Sequence, residues 1–166
     1  WVHLGVDTDV VLQPGPATRL LTRLSDRPSV LLPAADAAQR TLELERLSGE
    51  SEIFEVVGEP GTTRLLVQEH NEMPIYTWGD ARCCLERHTT RATLAGHFPR
   101  LEPGTPLLFE EVRGARTGRL ADADPERRHV VWLTQVEHSR GGAPLTDPLT
   151  GQAVTEITWA GEDELP

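Results

Sequence analysis

The sequence predicts a mainly β fold, a small β-barrel or sandwich with short helical turns and a less regular N-terminal part. Three observations lead there. Apolar residues fall in short runs enriched in β-branched and aromatic types, the runs are bounded by Gly, Pro, Asn or Asp, and three segments carry the Pro and Gly pattern of chain reversals. Short strands separated by frequent turns suit small barrels and paired sheets.

Residues 1–33 mix small apolar groups, Val10-Val11-Leu12, Leu20-Leu21 and Val30-Leu31-Leu32, with Pro14, Gly15, Pro16, Pro28 and Pro33. That punctuation cuts regular elements short, so brief strands and turns are expected. Residues 34–39, following Pro33, favour a helical turn, whereas Leu42-Glu43-Leu44-Glu45 alternates as a half-buried strand does. A short helix followed by a strand is expected. Further strands are expected at 53–57, 63–69, 75–78, 91–94, 107–112, 129–137 and 154–159. Within 129–137, strict alternation places Val131, Leu133 and Gln135 on one face and Val130, Trp132 and Val136 on the other, which predicts cover on both sides.

The reversals are Glu102-Pro-Gly-Thr105, Gly114-Ala-Arg-Thr-Gly118 and Asp147-Pro-Leu-Thr-Gly151. Proline presets φ and glycine accepts positive φ, so each turns the chain between strands. Residues 118–128 read as an ordered loop with a turn starting at Asp124-Pro125, long enough to reach a neighbour. The organisation expected is an N-terminal segment over 1–68 and a β-rich domain over 69–166, or one continuous domain. The chain starts at Trp1 and ends at Pro166, just after the acidic run Glu162-Asp163-Glu164, and is read as a piece of something longer.

A length of 166 residues fits one domain or two small ones. The net charge is −10 and all 16 basic residues are Arg. An acidic surface repels phosphate backbones, so no nucleic-acid partner is expected. No apolar run approaches the roughly 18 residues of a membrane span, and the start lacks a signal-peptide pattern, so no membrane insertion is expected either. Two adjacent cysteines do not make a secreted disulfide framework, which points to a reducing compartment during folding.

Cys83-Cys84 would carry the most reactive chemistry. Successive side chains on a strand point to opposite faces, and structural zinc sites separate paired cysteines by two to four residues, so a Cys83-Cys84-His88-His97 set is disfavoured. One buried and one surface cysteine is the expected arrangement. No Gly-x-Ser-x-Gly elbow occurs among the serines. Asp122, Asp124 and Glu126 alternate as calcium ligands can, but Arg127 and Leu133 stand where an EF-hand loop needs Gly and Glu. Glu110 and Glu111 diverge on a strand, so one is expected to pair with Arg113 or Arg116, within the chain or across a subunit boundary. No catalytic residue, metal or cofactor is therefore assigned. Trp78 precedes the Gly79-Asp80 turn signal; burial in the core is expected ahead of a role as an interface anchor.

The blocks HNEMPIYTWGDARCCL (70–85), LLFEEVRGARTG (107–118) after a Pro-Gly turn, ADADPERRHVVWLTQVE (121–137) and DPLTGQAVTEITWAGEDELP (147–166) occur in one order. Together they resemble the baseplate assembly (baseplate J-like, wedge) proteins of contractile phage-tail-like injection systems. The likeness runs from about residue 69 to 166; before it, only Ile53-Phe-Glu-Val-Val57 looks like a family strand. Glu86-Arg87-His88 departs from a Pro-containing turn, and Thr105 from a Pro-Gly-Asp pattern.

The resemblance implies a non-enzymatic structural component of the baseplate wedge, acting through protein-protein contacts. It implies other wedge, hub or sheath subunits as partners in a hetero-oligomeric ring, with assembly in the cytoplasm into a phage-tail-like particle. Candidate interface residues are Trp78, Gly79 and Asp80, then Arg113, Arg116 and Thr117, then Asp122, Asp124 and Arg127. Two alternatives stand beside this: a zinc-dependent or cysteine hydrolase domain using Cys83, Cys84, His88 or His97, and a carbohydrate-binding β module using Trp78 or Trp132.

Overall fold

A computed structural model describes residues 4–13, 19–22, 42, 45, 52–56, 63–80 and 82–166. The fold is mainly β, with short 3-10 turns. The chain divides into two compact units, Trp1–Gln68 and Glu69–Pro166.

In the first unit, β1 (Val10–Leu12) pairs antiparallel with β4 (Arg64–Leu66), and β2 (Arg19–Leu21) with β3 (Ile53–Glu55). The amide of Gln68 donates to Asp9 Oδ1 at 3.0 Å, tying down the chain just beyond β4. Leu42 and Glu45, expected on a strand, have α-helical backbone instead. Leu and Glu are good helix formers, and at these two positions that preference outweighs the two-residue alternation. The helical turn expected at 34–39 and the apolar group 30–32 lie outside the described residues.

The second unit is built on a four-stranded antiparallel sheet, curled as a half-barrel, in the order β5 (Arg91–Ala95), β10 (Val154–Trp159), β7 (Arg128–Glu137), β6 (Pro106–Glu110). A small hairpin, β8 (Ser139–Arg140) and β9 (Ala143–Pro144), lies between β7 and β10 in sequence. Inside the curl, Leu94, Val131, Leu133, Ile157 and Trp159 are each at most 2 % exposed, and Leu107, Phe109 and Val136 pack against them. Thr155 is fully buried as well. Its hydroxyl donates to Gly96 O at 2.9 Å and accepts from the Phe98 amide at 3.2 Å, so the buried oxygen is satisfied.

The long strand β7 departs from strict alternation. Thr158 pairs with Gln135 and Trp159 with Leu133, leaving Thr134 as an extra residue in a β-bulge. The Thr134 hydroxyl donates to Thr158 O at 3.1 Å. Past the bulge the side-chain parity flips, so Val136 joins Val131 and Leu133 on the core face. Val130 and Trp132 stay on the outer face, where Trp132 is 51 % exposed. The expected cover on both sides is therefore corrected: one face is core and the other meets solvent.

The strand expected at 75–78 shrinks to a single bridge, Ile75 with Leu94. Tyr76 N donates to Thr93 O at 2.8 Å, after which the chain turns away. The turn at 102–105 forms as expected, with Thr105 N donating to Glu102 O at 3.2 Å and Gly104 at φ +84°. No helix among the described residues is long and apolar enough to cross a membrane.

Candidate functional site

The corner after Ile75 is built by a strained turn. Trp78 and Gly79 have φ of 55° and 77°, and Asp80 N donates to Thr77 O at 2.9 Å. Positive φ at both central residues is the pattern of a type I′ turn, which favours Asn-Gly rather than Trp-Gly. A bulky L-residue held left-handed costs roughly 1–2 kcal/mol. Yet the Trp78 side chain gains little burial in return, since the residue is 57 % exposed. The expected core position of Trp78 is thus overturned, and so is the placement of the turn, which centres on Trp78-Gly79 rather than on Gly79-Asp80. Asp80 is exposed and closes the next turn: its Oδ1 accepts from Arg82 N at 2.8 Å and its carbonyl from Cys83 N at 3.0 Å. No strand forms among the described residues of 80–85.

Beneath Trp78 lies a buried polar link that sequence reading missed. The rings of Tyr76 and Trp78 meet edge to face with centroids 4.8 Å apart. Tyr76 is 7 % and Asp147 is 5 % exposed, and the Tyr76 hydroxyl donates to Asp147 Oδ2. Thr150 Oγ1 donates to the same oxygen at 3.1 Å, and Leu149 N donates to Oδ1 at 2.8 Å. The Tyr76 phenol, helped by the Leu149 amide, holds the Asp147 carboxyl below its usual range against the opposing effect of burial. Asp147 in turn raises the Tyr76 phenol above its usual value, while Thr150 works the other way.

The 147–151 reversal closes with Gly151 N donating to Asp147 O at 2.8 Å, Gly151 being at φ +72°. It holds Leu149 at its tip, 93 % exposed. Two exposed apolar side chains, Trp78 and Leu149, therefore hang from one buried hydrogen-bonded pair. An Asp followed three residues on by Thr signals a side chain that caps its own turn, but nothing local to 147–151 points to Tyr76.

The 114–128 region is braced by its own polar groups. Gly114 is buried at the foot of the loop, and its amide donates to Arg119 O at 2.9 Å while Gly118 N donates to Gly114 O at 2.8 Å. Arg113 Nη1 donates to Gly118 O at 3.2 Å and Thr117 Oγ1 to Asp122 Oδ2 at 2.6 Å. Glu111 pairs with Arg127, Nη1 to Oε2 at 3.1 Å, and its Oε1 accepts from Asp124 N at 3.2 Å. Arg127 Nε also stands 3.5 Å from Asp124 Oδ2. The expected pairing of a glutamate with Arg113 or Arg116 is corrected: Glu111 reaches across the 124–127 turn because Arg127 N donating to Asp124 O folds that turn back beside the end of β6. Of the loop candidates, Arg113, Thr117, Asp122, Asp124 and Arg127 hold the loop together, and exposed Arg116 has no ion-pair partner among the described residues.

The residues of the hydrolase alternative are placed separately. Cys83 and Cys84 are both exposed, not one buried as expected, since the chain there is irregular rather than strand and it is the next residue, Leu85, that packs against the core. His88 Nδ1 lies 2.7 Å from Glu164 Oε1, and His97 Nδ1 3.1 Å from His138 O. Among the described residues, no three His, Cys, Asp or Glu side chains gather as a metal site. Comparison of the chain with family models, with curated proteins and with solved structures finds no match.

Proposed function

We propose that this chain is a structural component of the baseplate wedge of a contractile phage-tail-like injection system, acting through protein-protein contacts. The observation behind the assignment is the ordered set of sequence blocks over 69–166, each of which carries a turn or strand with defined geometry. The mode of action draws support from Trp78. A position that would be most stable as Asn holds a large, exposed indole over a rigid pair, and strain without burial is a reason to look for function. Tryptophan is enriched among the residues that dominate protein interfaces.

The test is genetic and structural. The coding sequence around this gene should hold neighbours of the same machine, namely sheath, tube and spike genes, and deletion of this gene should abolish sheath-bearing particles in electron micrographs. Normal particles in the deletion strain would overturn the proposal. A second reading, a carbohydrate-binding module, is favoured by the exposed indoles of Trp78 and Trp132. Oligosaccharide binding lost in Trp78→Ala or Trp132→Ala, with the fold intact, would support it instead.

A further inference from the structure

The free edge of the second unit's sheet combines three features. β6 is a terminal strand in the sheet order, paired with β7 on one side. Thr105 O accepts from Leu133 N and Glu111 N donates to Arg127 O at the two ends of the pairing, in register with Leu107 opposite Val131 and Phe109 opposite His129. Antiparallel bonding alternates, so Leu107 and Phe109 face β7, while Leu108 and Glu110 turn their N–H and C=O groups outward with the carbonyl of Pro106.

The second feature is apolar. On the outer face Pro106 lies opposite Trp132 and Leu108 opposite Val130. Leu108 is 38 % and Trp132 51 % exposed, and Pro106 is exposed too. The Trp132 backbone is fixed by its amide donating to Asp163 Oδ2 at 3.1 Å. The third feature is charge: Glu102 leads into β6 and Glu110 ends it, both exposed, while Arg128 lies opposite Glu110.

We infer that the outer edge of β6 accepts an extended, basic strand of another protein, which adds to the sheet as a fifth strand and packs apolar side chains over Leu108 and Trp132. Unpaired edge groups give such a strand its main-chain bonds, and the pockets beside alternate residues give it specificity. A second copy of this chain fits poorly. Antiparallel pairing of β6 with itself about Leu108 sets Pro106, which has no N–H, against Glu110, and brings together two chains of net charge −10. The inference stands on the sheet edge and holds whether or not the partner belongs to a baseplate.

The test uses the full chain and a synthetic ten-residue peptide alternating valine and lysine. Binding is read by fluorescence anisotropy and by amide hydrogen exchange. In the free protein the amides of Leu108 and Glu110 exchange quickly beside protected neighbours at Leu107 and Phe109, and the peptide slows both by on the order of tenfold or more. Trp132→Ser weakens binding by about tenfold, as loss of an aromatic anchor does, and Glu110→Lys weakens it while leaving the fold intact. Equal binding of a valine-glutamate peptide, or of a valine-lysine peptide interrupted by proline, overturns the inference. So does binding that leaves the Leu108 and Glu110 amides unprotected, or protection of them by self-association or by an oligosaccharide.

Discussion

The turn at Trp78 gives a sharp test, because its backbone and its side chain pull stability in opposite directions. Replacing Trp78 with Asn and, separately, with Ala removes the edge-to-face contact with Tyr76 in both variants, a loss of about 0.5–1.5 kcal/mol. The two differ in what they do to the backbone. At φ 55° Asn is tolerated, whereas Ala keeps most of the roughly 1–2 kcal/mol left-handed penalty. The Asn variant should therefore be about 1 kcal/mol more stable than the Ala variant, despite the lower intrinsic cost of alanine in most settings. For a unit the size of Glu69–Pro166 that corresponds to a separation of ~4–8 °C in Tm. Thermal unfolding followed by far-ultraviolet circular dichroism reads this without relying on the lost fluorophore. Equal Tm values, or a more stable Ala variant, would show that residue 78 is not held left-handed and would remove the argument from strain to function.

The remaining expectations address the supports around the site. Asp147 has a depressed pKa when folded, so its contribution is present above the ordinary carboxylate range near pH ~4 and is lost as pH falls through the lowered value. Tyr76 has a raised pKa, so its contribution is present below about pH 10 and is lost as pH rises through the folded value. Urea unfolding should thus show Tyr76→Phe weaker than the parent at neutral pH, with the gap closing in strong acid and strong alkali; a constant gap would contradict the link. Thr155→Val strips both bonds of a fully buried hydroxyl and should cost ~1–3 kcal/mol in chemical denaturation, where a change near zero would mean those partners find water. In Gly114→Ala the new Cβ would stand 2.7 Å from Asp122 Cβ and 2.8 Å from Asp122 O, an overlap with fixed atoms. Forcing the loop open should cost about 1–3 kcal/mol and speed amide exchange at Gly118, whereas Gly118→Asn, in open space at φ +68°, should change little; unchanged exchange in Gly114→Ala would refute the tight packing at the foot of the loop.

Strands were legible wherever the sequence pattern was local. The segments at 91–94, 107–112, 129–137 and 154–159 overlap β5, β6, β7 and β10 with ends within two residues, because β-branched residues and bounding turn residues report on backbone conformation within a few positions. The three reversals were legible for the same reason. Which face of β7 is buried was not. That depends on the bulge at Thr134, which exists only in the pairing with β10, so no count along β7 alone reveals the change of parity.

The candidate site divides in the same way. The residues Trp78-Gly79-Asp80 announced a turn, but the exposure of Trp78 follows from where the chain leaves β5's edge, and its footing follows from Asp147, distant in sequence. Likewise Glu111 finds Arg127 rather than Arg113 or Arg116, since the loop folds back onto the end of β6. By itself the sequence determined the β class, the position of most strands and the turns that reverse them, all set by short-range sterics of proline, glycine and β-branched residues. Tertiary structure alone decided which apolar side chains stay outside, Trp78, Leu149, Leu108 and Trp132 among them, and which polar groups are consumed as braces. Burial and hydrogen bonding are settled between segments far apart in the chain, and a sequence records those segments without recording that they meet.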